Sequence, residues 1–286
     1  MRLPGLPVRD RCLVMGVVNV TPDSFSDGGL WFREADAIAH GLELLDSGAD
    51  IVDVGGESTR PGAPRVSEKE ELRRVEPVVA ELVEKGATVS IDTMRAAVAE
   101  MAVRAGAKLV NDVSGGLADP AMASLIARID VPYVVMHWRG QSADMDRRAV
   151  YSDVVAEVRA ELTSRVTELI RAGVDPGRLI LDPGLGFAKQ PAHNWALLTR
   201  LREIGELDHP DAPFPVLVAA SRKRFIGRML ASAGDEPRPF DQCDGATVAL
   251  TALVATGGAW CVRVHAVPGN ADAVRTAARW QQESAP

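Results

Sequence analysis

Cysteine, basic charge and long apolar runs are all in short supply in this 286-residue sequence. The three cysteines, Cys12, Cys243 and Cys261, lie far apart, with neither metal-ligand spacing nor even pairing. They read as reduced structural thiols, which points to a cytoplasmic protein rather than a disulfide-stapled one. The formal net charge of −7 leaves no basic surplus and argues against nucleic acid as a partner. An anionic small molecule remains compatible, because local charge at one site can override the global sign. No apolar run reaches the roughly 18 residues of a membrane span, and Met1–Arg11 holds no signal-like apolar region. Also missing are a His/Cys/Asp cluster with metal spacing, a GxSxG elbow and a Cys/His nucleophile signature, so covalent hydrolysis is disfavoured.

What the sequence does have is rhythm. The apolar run Leu13–Val18 reads as a buried strand that ends at Asn19, and Pro22 with the Gly28–Gly29 pair keeps the following polar stretch in a loop. Helical spacing over 34–47, stopped by Gly48, leads to a second strand at 50–56. The alternation continues with a helix over 67–84, in which Pro77 predicts a kink or break. Strands follow at 88–92, 108–113, 133–137, 178–182, 215–220 and 260–265, with helical spacing over 94–104, 120–127, 152–171, 194–204, 247–256 and 271–281. The strands are too apolar to alternate, the pattern of parallel strands covered on both faces. About eight such units imply a closed (β/α)8 TIM barrel, and the absence of GxGxxG after the first strand weakens the open dinucleotide-binding alternative. With no linker or shift in composition, residues 1–286 read as one domain with 1–12 as an N-terminal extension, and 232–244 as an excursion in the seventh unit.

Nearly every strand ends in a side chain capable of binding or chemistry: Asn19, Asp53, Asp92, Asn111, His137, Asp182, Ser221 with Lys223, and Arg263 with His265. In a barrel those ends converge on one face, where active sites sit. Each also has a plainer reading: Asp53 as a loop anchor, Asp92 with Thr93 as a helix cap, His137 as a satisfied core histidine, Arg222 or Arg224 as a partner of surface carboxylates. Their agreement in position is what favours a site. The cationic group, Ser221–Arg224 with Arg263 and His265, suits phosphate, and Arg263 and His265 share one side of their strand. Asp92, Asn111 and Asp182 offer the acceptors and amide that complement an aminopyrimidinone edge. The residues thus outline a pocket with a flat polar ring at one end and an anion at the other.

Longer motifs sharpen this. They are Asn19–Gly29 (Asn-Val-Thr-Pro-Asp-Ser-Phe-Ser-Asp-Gly-Gly), Asp53–Gly62 (Asp-Val-Gly-Gly-Glu-Ser-Thr-Arg-Pro-Gly), Ser90–Thr93, Asn111–Gly116, Asp182–Phe187, Ser221–Phe225 and Arg263–His265. In this order, over about Met15–Trp280, the chain resembles the bacterial dihydropteroate synthase family of pterin-binding barrels. The resemblance implies condensation of 6-hydroxymethyl-7,8-dihydropterin diphosphate with 4-aminobenzoate, giving 7,8-dihydropteroate and diphosphate. It implies that Asp92, Asn111, Asp182 and Lys223 hold the pterin, with Met136 packed against it. By the same resemblance Asn19, Arg263 and His265 hold the diphosphate, with Mg2+ near Asn19. Thr59, Arg60, Pro61 and Ser221 would form the aminobenzoate site, where sulfonamides compete in this family, and Phe25 would help close it, with Thr21–Gly29 as a cover. A homodimer is implied as well. One position departs: the family usually continues Arg-Val-His with Asp, and this chain has Ala266. Competing readings are a non-catalytic pterin-binding paralogue and a methyltetrahydrofolate:corrinoid methyltransferase.

Overall fold

Eight short strands alternate with helices along the chain and pair in parallel throughout, in the order β6-β5-β4-β3-β2-β1-β8-β7. A computed structural model describes residues 3–21, 33–58, 65–140, 145–232 and 234–284. The strands are β1 Leu13–Asn19, β2 Ile51–Gly55, β3 Val89–Asp92, β4 Leu109–Asp112, β5 Tyr133–Met136, β6 Leu179–Asp182, β7 Leu217–Val218 and β8 Cys261–Val264. The helices are α1 Glu34–Asp46, α2 Glu68–Glu84, α3 Ala96–Arg104, α4 Met122–Arg128, α5 Met145–Arg148, α6 Val154–Arg171, α7 Pro191–Thr199, α8 Leu201–Gly205, α9 Arg224–Leu230, α10 Asp244–Thr256 and α11 Val267–Glu283. A lone parallel bridge, Leu181 to Val216, brings β6 against the short β7 edge and closes the barrel. The seam between β6 and β7 is therefore the most sparsely bonded joint in the wall.

Two apolar layers hold the barrel. Outward-facing strand residues such as Val14, Val52, Ile91 and Val110 pack under the helices. Inward-facing Leu13, Met15, Ile51, Leu109, Val134, Ile180, Leu217 and Cys261 fill the lower interior, and Leu3 and Leu6 from the N-terminal segment join them. Each such side chain, once fully buried, contributes roughly 1.5–3 kcal/mol. The apolar filling stops partway up, and the inward positions above it are polar.

Two helix expectations needed correction. Of the kink or break expected at Pro77, there is no break: helix α2 runs continuously from Glu68 to Glu84. Val75, Val78, Val79 and Leu82 are fully buried on either side of the proline, and that packing outweighs the missing backbone bond. The single helix expected over 194–204 is instead two, α7 and α8, divided at Arg200. Thr199 just before the break turns its hydroxyl back to the carbonyls of Trp195 and Ala196, a local bond that competes with the helix.

Candidate active site

Strand register explains which polar residues meet. Asn19 pairs with Gly55, Gly55 with Asp92, and Asp92 with Asn111, so these four form a row across β1 to β4. Met136 lies beside Asp182 in the same way. Because side chains alternate along a strand, Asn19 shares its side with Leu13 and Met15, Asp53 with Ile51, Asn111 with Leu109, Met136 with Val134, Asp182 with Ile180, and Arg263 with Cys261. All those companions are interior residues, so the polar set stands above them at the C-terminal mouth.

The two ends expected of the pocket are in fact tied together. Arg263 donates through Nε to Asp53 Oδ2 at 2.6 Å and through Nη2 to Asp92 Oδ2 at 2.8 Å. Asn111 Nδ2 donates to the same Asp53 oxygen at 3.0 Å. Asp53 is 0% exposed, so its role is that of a buried counter-ion rather than a loop anchor. Burial pushes the Asp92 carboxyl up to about 7, with Arg263 pulling the other way. Arg263 itself is held above its usual range: its burial is outweighed by Asp53 and Asp92. Among the described residues, no hydrogen bond is made by the third guanidinium nitrogen, Nη1.

On the opposite side Asp182 accepts from Gly184 N at 2.7 Å. Burial raises its carboxyl, against Lys223, the Gly184 bond, Lys189 and Arg263. Lys223 follows Arg222, whose φ of 56° is left-handed, an uncommon conformation for a side chain of that size. The turn is closed by Lys223 N donating to Ala220 O at 3.2 Å and by Arg222 pairing with Asp244. Lys223 Nζ then donates to the Leu185 carbonyl and lies 4.9 Å from the centre of the Phe187 ring. Burial pushes its ammonium down to about 8, against Asp182. Ser221 sits with the anion group: its hydroxyl is 3.1 Å from His265 Nδ1 and accepts from His265 N at 3.3 Å.

His137 is not brought to the mouth. It follows inward-facing Met136 and so turns outward, where its ring is buried against Glu161 of α6 at 2.9 Å and Lys189 at 2.9 Å. Thr93 does not cap α3 by itself, since its hydroxyl donates to Glu71 at 2.6 Å and accepts from Arg95 N at 3.1 Å; the first helical amide, Ala96 N, goes to Asp119 Oδ2. Phe25, Thr59, Arg60 and Pro61 lie outside the described residues. The flanks of 59–64 are described, and Arg95 joins them by donating to Glu57 Oε2 at 2.9 Å and Val66 O at 2.6 Å. Sequence reasoning passed over Lys189 and undervalued Asp53; the period-two spacing from Asp53 to Gly55 was the signal available for the second.

The departure at Ala266 has a local meaning. Ala266 is the N-cap of α11 and offers no side-chain cap; its carbonyl is instead held by Asn270 Nδ2 at 2.6 Å, and Asn270 Oδ1 by Thr251 at 2.6 Å. An aspartate there would gain the Gly269 amide and the positive helix end. Ala266→Asp is expected to raise the unfolding free energy by about 0.5–2 kcal/mol and to leave turnover within about twofold. Urea denaturation and steady-state assay of the pair check it; an unchanged midpoint rules out the capping account.

Comparison with known proteins agrees with this geometry. The family model described as "Pterin binding enzyme" matches residues 15–265. The dihydropteroate synthase of Mycobacterium leprae is 54% identical over 268 residues, covering 93% of each chain. Among solved structures, the Yersinia pestis dihydropteroate synthase in a sulfonamide drug complex superposes with a TM-score of 0.90 at 37% identity, covering 99% of both chains. The Xanthomonas albilineans dihydropteroate synthase in complex with 7,8-dihydropteroate gives 0.83 at 40% identity, covering 100% of both. With this barrel, these polar strand ends and relatives matched over nearly their whole length, the chain belongs to the dihydropteroate synthase family of pterin-binding enzymes.

Proposed function

We propose that the protein is a transferase that condenses 6-hydroxymethyl-7,8-dihydropterin diphosphate with 4-aminobenzoate to give 7,8-dihydropteroate and diphosphate. The observation that carries the reading is Arg263, a largely buried guanidinium bound to two carboxylates of the ring wall and followed two residues later by His265, which is held by Ser221. One cation thereby serves both the heterocycle and the leaving anion.

The bond from the pterin methylene to the diphosphate oxygen breaks first, and its electron pair leaves with diphosphate. Arg263, His265 and Asn19 receive that charge, the main electrostatic contribution to the rate. Positive charge developing on the pterin ring is stabilised by Asp92 and Asp182, with Asn111 and Lys223 fixing the ring's polar edge and Met136 its face. The neutral arylamine then forms the C–N bond and its surplus proton passes to solvent. We assign Ser221 and the segments holding Phe25, Thr59, Arg60 and Pro61 to the aminobenzoate side on the strength of the family motifs.

Mg2+ fits as a companion of the substrate. Among the described residues no group of three or more His, Cys, Asp or Glu could cage a metal ion, but Mg2+ typically uses one or two protein oxygens together with phosphate oxygens and water. Asn19, half-buried at its strand end, offers a neutral hard oxygen of that kind. When bound, the ion would neutralise diphosphate charge. Purified protein supplied with both substrates and Mg2+ should release one diphosphate per dihydropteroate and stop on chelation. No release under these conditions overturns the reading, and chelator-insensitive turnover removes the metal.

Asp92 gives a pH test. Taking the ionised carboxylate as the form that binds the ring's N–H donors, with Asp92 pushed up to about 7, dihydropterin affinity should weaken by about tenfold between pH 8 and pH 6. Calorimetric titration from pH 8 to 6 measures this; a flat profile excludes Asp92 from the ring contact. Homodimerisation is proposed through α10 and α11, where Leu253 and Trp280 are each 70% exposed; a single monomeric species in sedimentation velocity would refute it. No helix among the described residues is long and apolar enough to cross a membrane. The three buried free thiols favour the cytoplasm, which cell fractionation checks.

A further inference from the structure

The loop after β6 folds back on itself. Gly184, Gly186 and Ala188 all have left-handed φ, 69°, 75° and 47°, and the fold-back returns Lys189 to a position under the turn that begins at Asp182. Lys189 Nζ donates to Phe187 O at 3.1 Å and to His137 Nδ1 at 2.9 Å. A Cβ placed on Gly184 would stand 3.4 Å from that Nζ and 2.3 Å from the His137 carbonyl, so the ammonium lies directly against the Gly184 backbone. The amide of the same glycine holds Asp182 Oδ1, and His137 N donates to the Asp182 carbonyl at 2.9 Å. His137 uses Nδ1 as acceptor for the ammonium, which leaves Nε2–H to donate to Glu161 at 2.9 Å. Glu161 is paired with Arg139, whose guanidinium stacks over Tyr151 at 3.9 Å. A chain of polar contacts thus runs from the back of Asp182 to the solvent side of α6.

We propose that Lys189 is a positioning residue for the pterin site, holding the Asp182–Gly184 turn from behind and placing a second ammonium, after that of Lys223, on the Asp182 side of the pocket. This deepens the proposed function and rests on it for the identity of the ligand. The groups facing Lys189 are Asp182, Lys223, Arg139, Glu161, His137 and Tyr151. Its own ammonium is pushed down to about 7 by burial, with Asp182 acting in the opposite direction. Burial likewise pushes His137 down to about 4, with Lys189 adding to the effect, so the imidazole stays the neutral acceptor that the ammonium requires. The arrangement is specific: a cation at this place needs a folded-back loop, a neutral imidazole and an outer carboxylate to orient that imidazole.

The test uses full-length Lys189→Met, Lys189→Gln and Lys189→Arg. With 13C-carboxyl aspartate labelling, the Asp182 signal, assigned by its loss in Asp182→Asn, should titrate at higher pH in the Met and Gln variants than in the parent. Lys189→Arg should bring it back towards the parent. Dihydropterin binding should weaken by roughly 10- to 100-fold in Lys189→Met, with the KM for 4-aminobenzoate within about twofold. An unmoved Asp182 titration in both uncharged variants overturns the assignment. So does equal weakening of both ligands in step with a fall in Tm, the behaviour of a merely structural lysine. If the parent bound no dihydropterin, the functional reading would fail, while the ligand-free carboxyl titration would still decide the role of Lys189.

Discussion

Arg263→Ala should lower kcat/KM by roughly 10²–10³ and, separately, cost about 3–5 kcal/mol of stability. The first loss follows if, as proposed, Arg263 donates to the departing diphosphate. The second arises because Asp53 and Asp92 lose their shared counter-ion while remaining buried. The two effects separate by pH. Without the guanidinium, the Asp92 carboxyl rises further above its ordinary range, so the native state binds a proton that the unfolded chain has released. Stability then falls as pH rises from the unfolded carboxylate pKa, about 3.9, through the raised native one. The thermal deficit of Arg263→Ala should therefore be largest in alkaline buffer and shrink on acidification, whereas the kinetic deficit should persist across the range. Turnover within about twofold of wild type would remove Arg263 from the anion site. A thermal deficit independent of pH would mean that the two carboxylates have found other partners.

Asp182→Asn is expected to behave differently: a comparable loss of kcat, roughly 10²-fold or more, with little change in Tm. The amide oxygen of Asn can still accept from Gly184 N, so the turn keeps its geometry. Burial already disfavours the charge on Asp182, so a neutral isostere is not a burden to the fold. What disappears is the negative charge on that wall; Lys223 and Lys189, whose ammoniums burial already pushes down to about 8 and about 7, can give up a proton when they lose it, so the fold is spared an unpaired buried charge. Single-turnover kinetics at saturating dihydropterin should show a defect in the chemical step in addition to weakened dihydropterin binding. If binding weakens while the single-turnover rate stays intact, Asp182 holds the substrate without stabilising the cation. The contrast matters for both variants, because Arg263 joins the fold to the chemistry and Asp182 belongs chiefly to the chemistry.

Much of this site was legible in the sequence, and the reasons are geometric. A strand that ends in Asn19, Asp92, Asn111 or Asp182 instead of an apolar residue stands out once the β/α rhythm is recognised, because a parallel barrel sends all those ends to one face. Parity was the part most easily lost. His137 and Met136 are neighbours at one strand end, yet only Met136 faces inward, and a list of strand ends does not distinguish them. Asp53 was misjudged for a related reason: it sits two residues below the rim, where a carboxylate has a function only if something reaches down to it, and the reach of Arg263 from β8 is a property of closure. Lys189 was invisible to periodicity, since it depends on three left-handed residues that fold the loop back. The break in 194–204 was hidden because the helical spacing of Leu197, Leu198, Leu201 and Ile204 runs straight across Arg200. Phe25 and Thr59 to Pro61 rest on motif alone.

The sparse seam between β6 and β7 runs directly beneath the candidate pocket. Asp182 stands on one lip of that seam and Lys223 just beyond the other, with the Leu185 carbonyl reaching across to the lysine. A heterocycle gripped by both residues, as proposed for the pterin, would stitch the two lips together, so that an occupied pocket would also be a mended wall. On the proposed binding mode, substrate and product would double as structural rivets, and the barrel would be most complete while it is working.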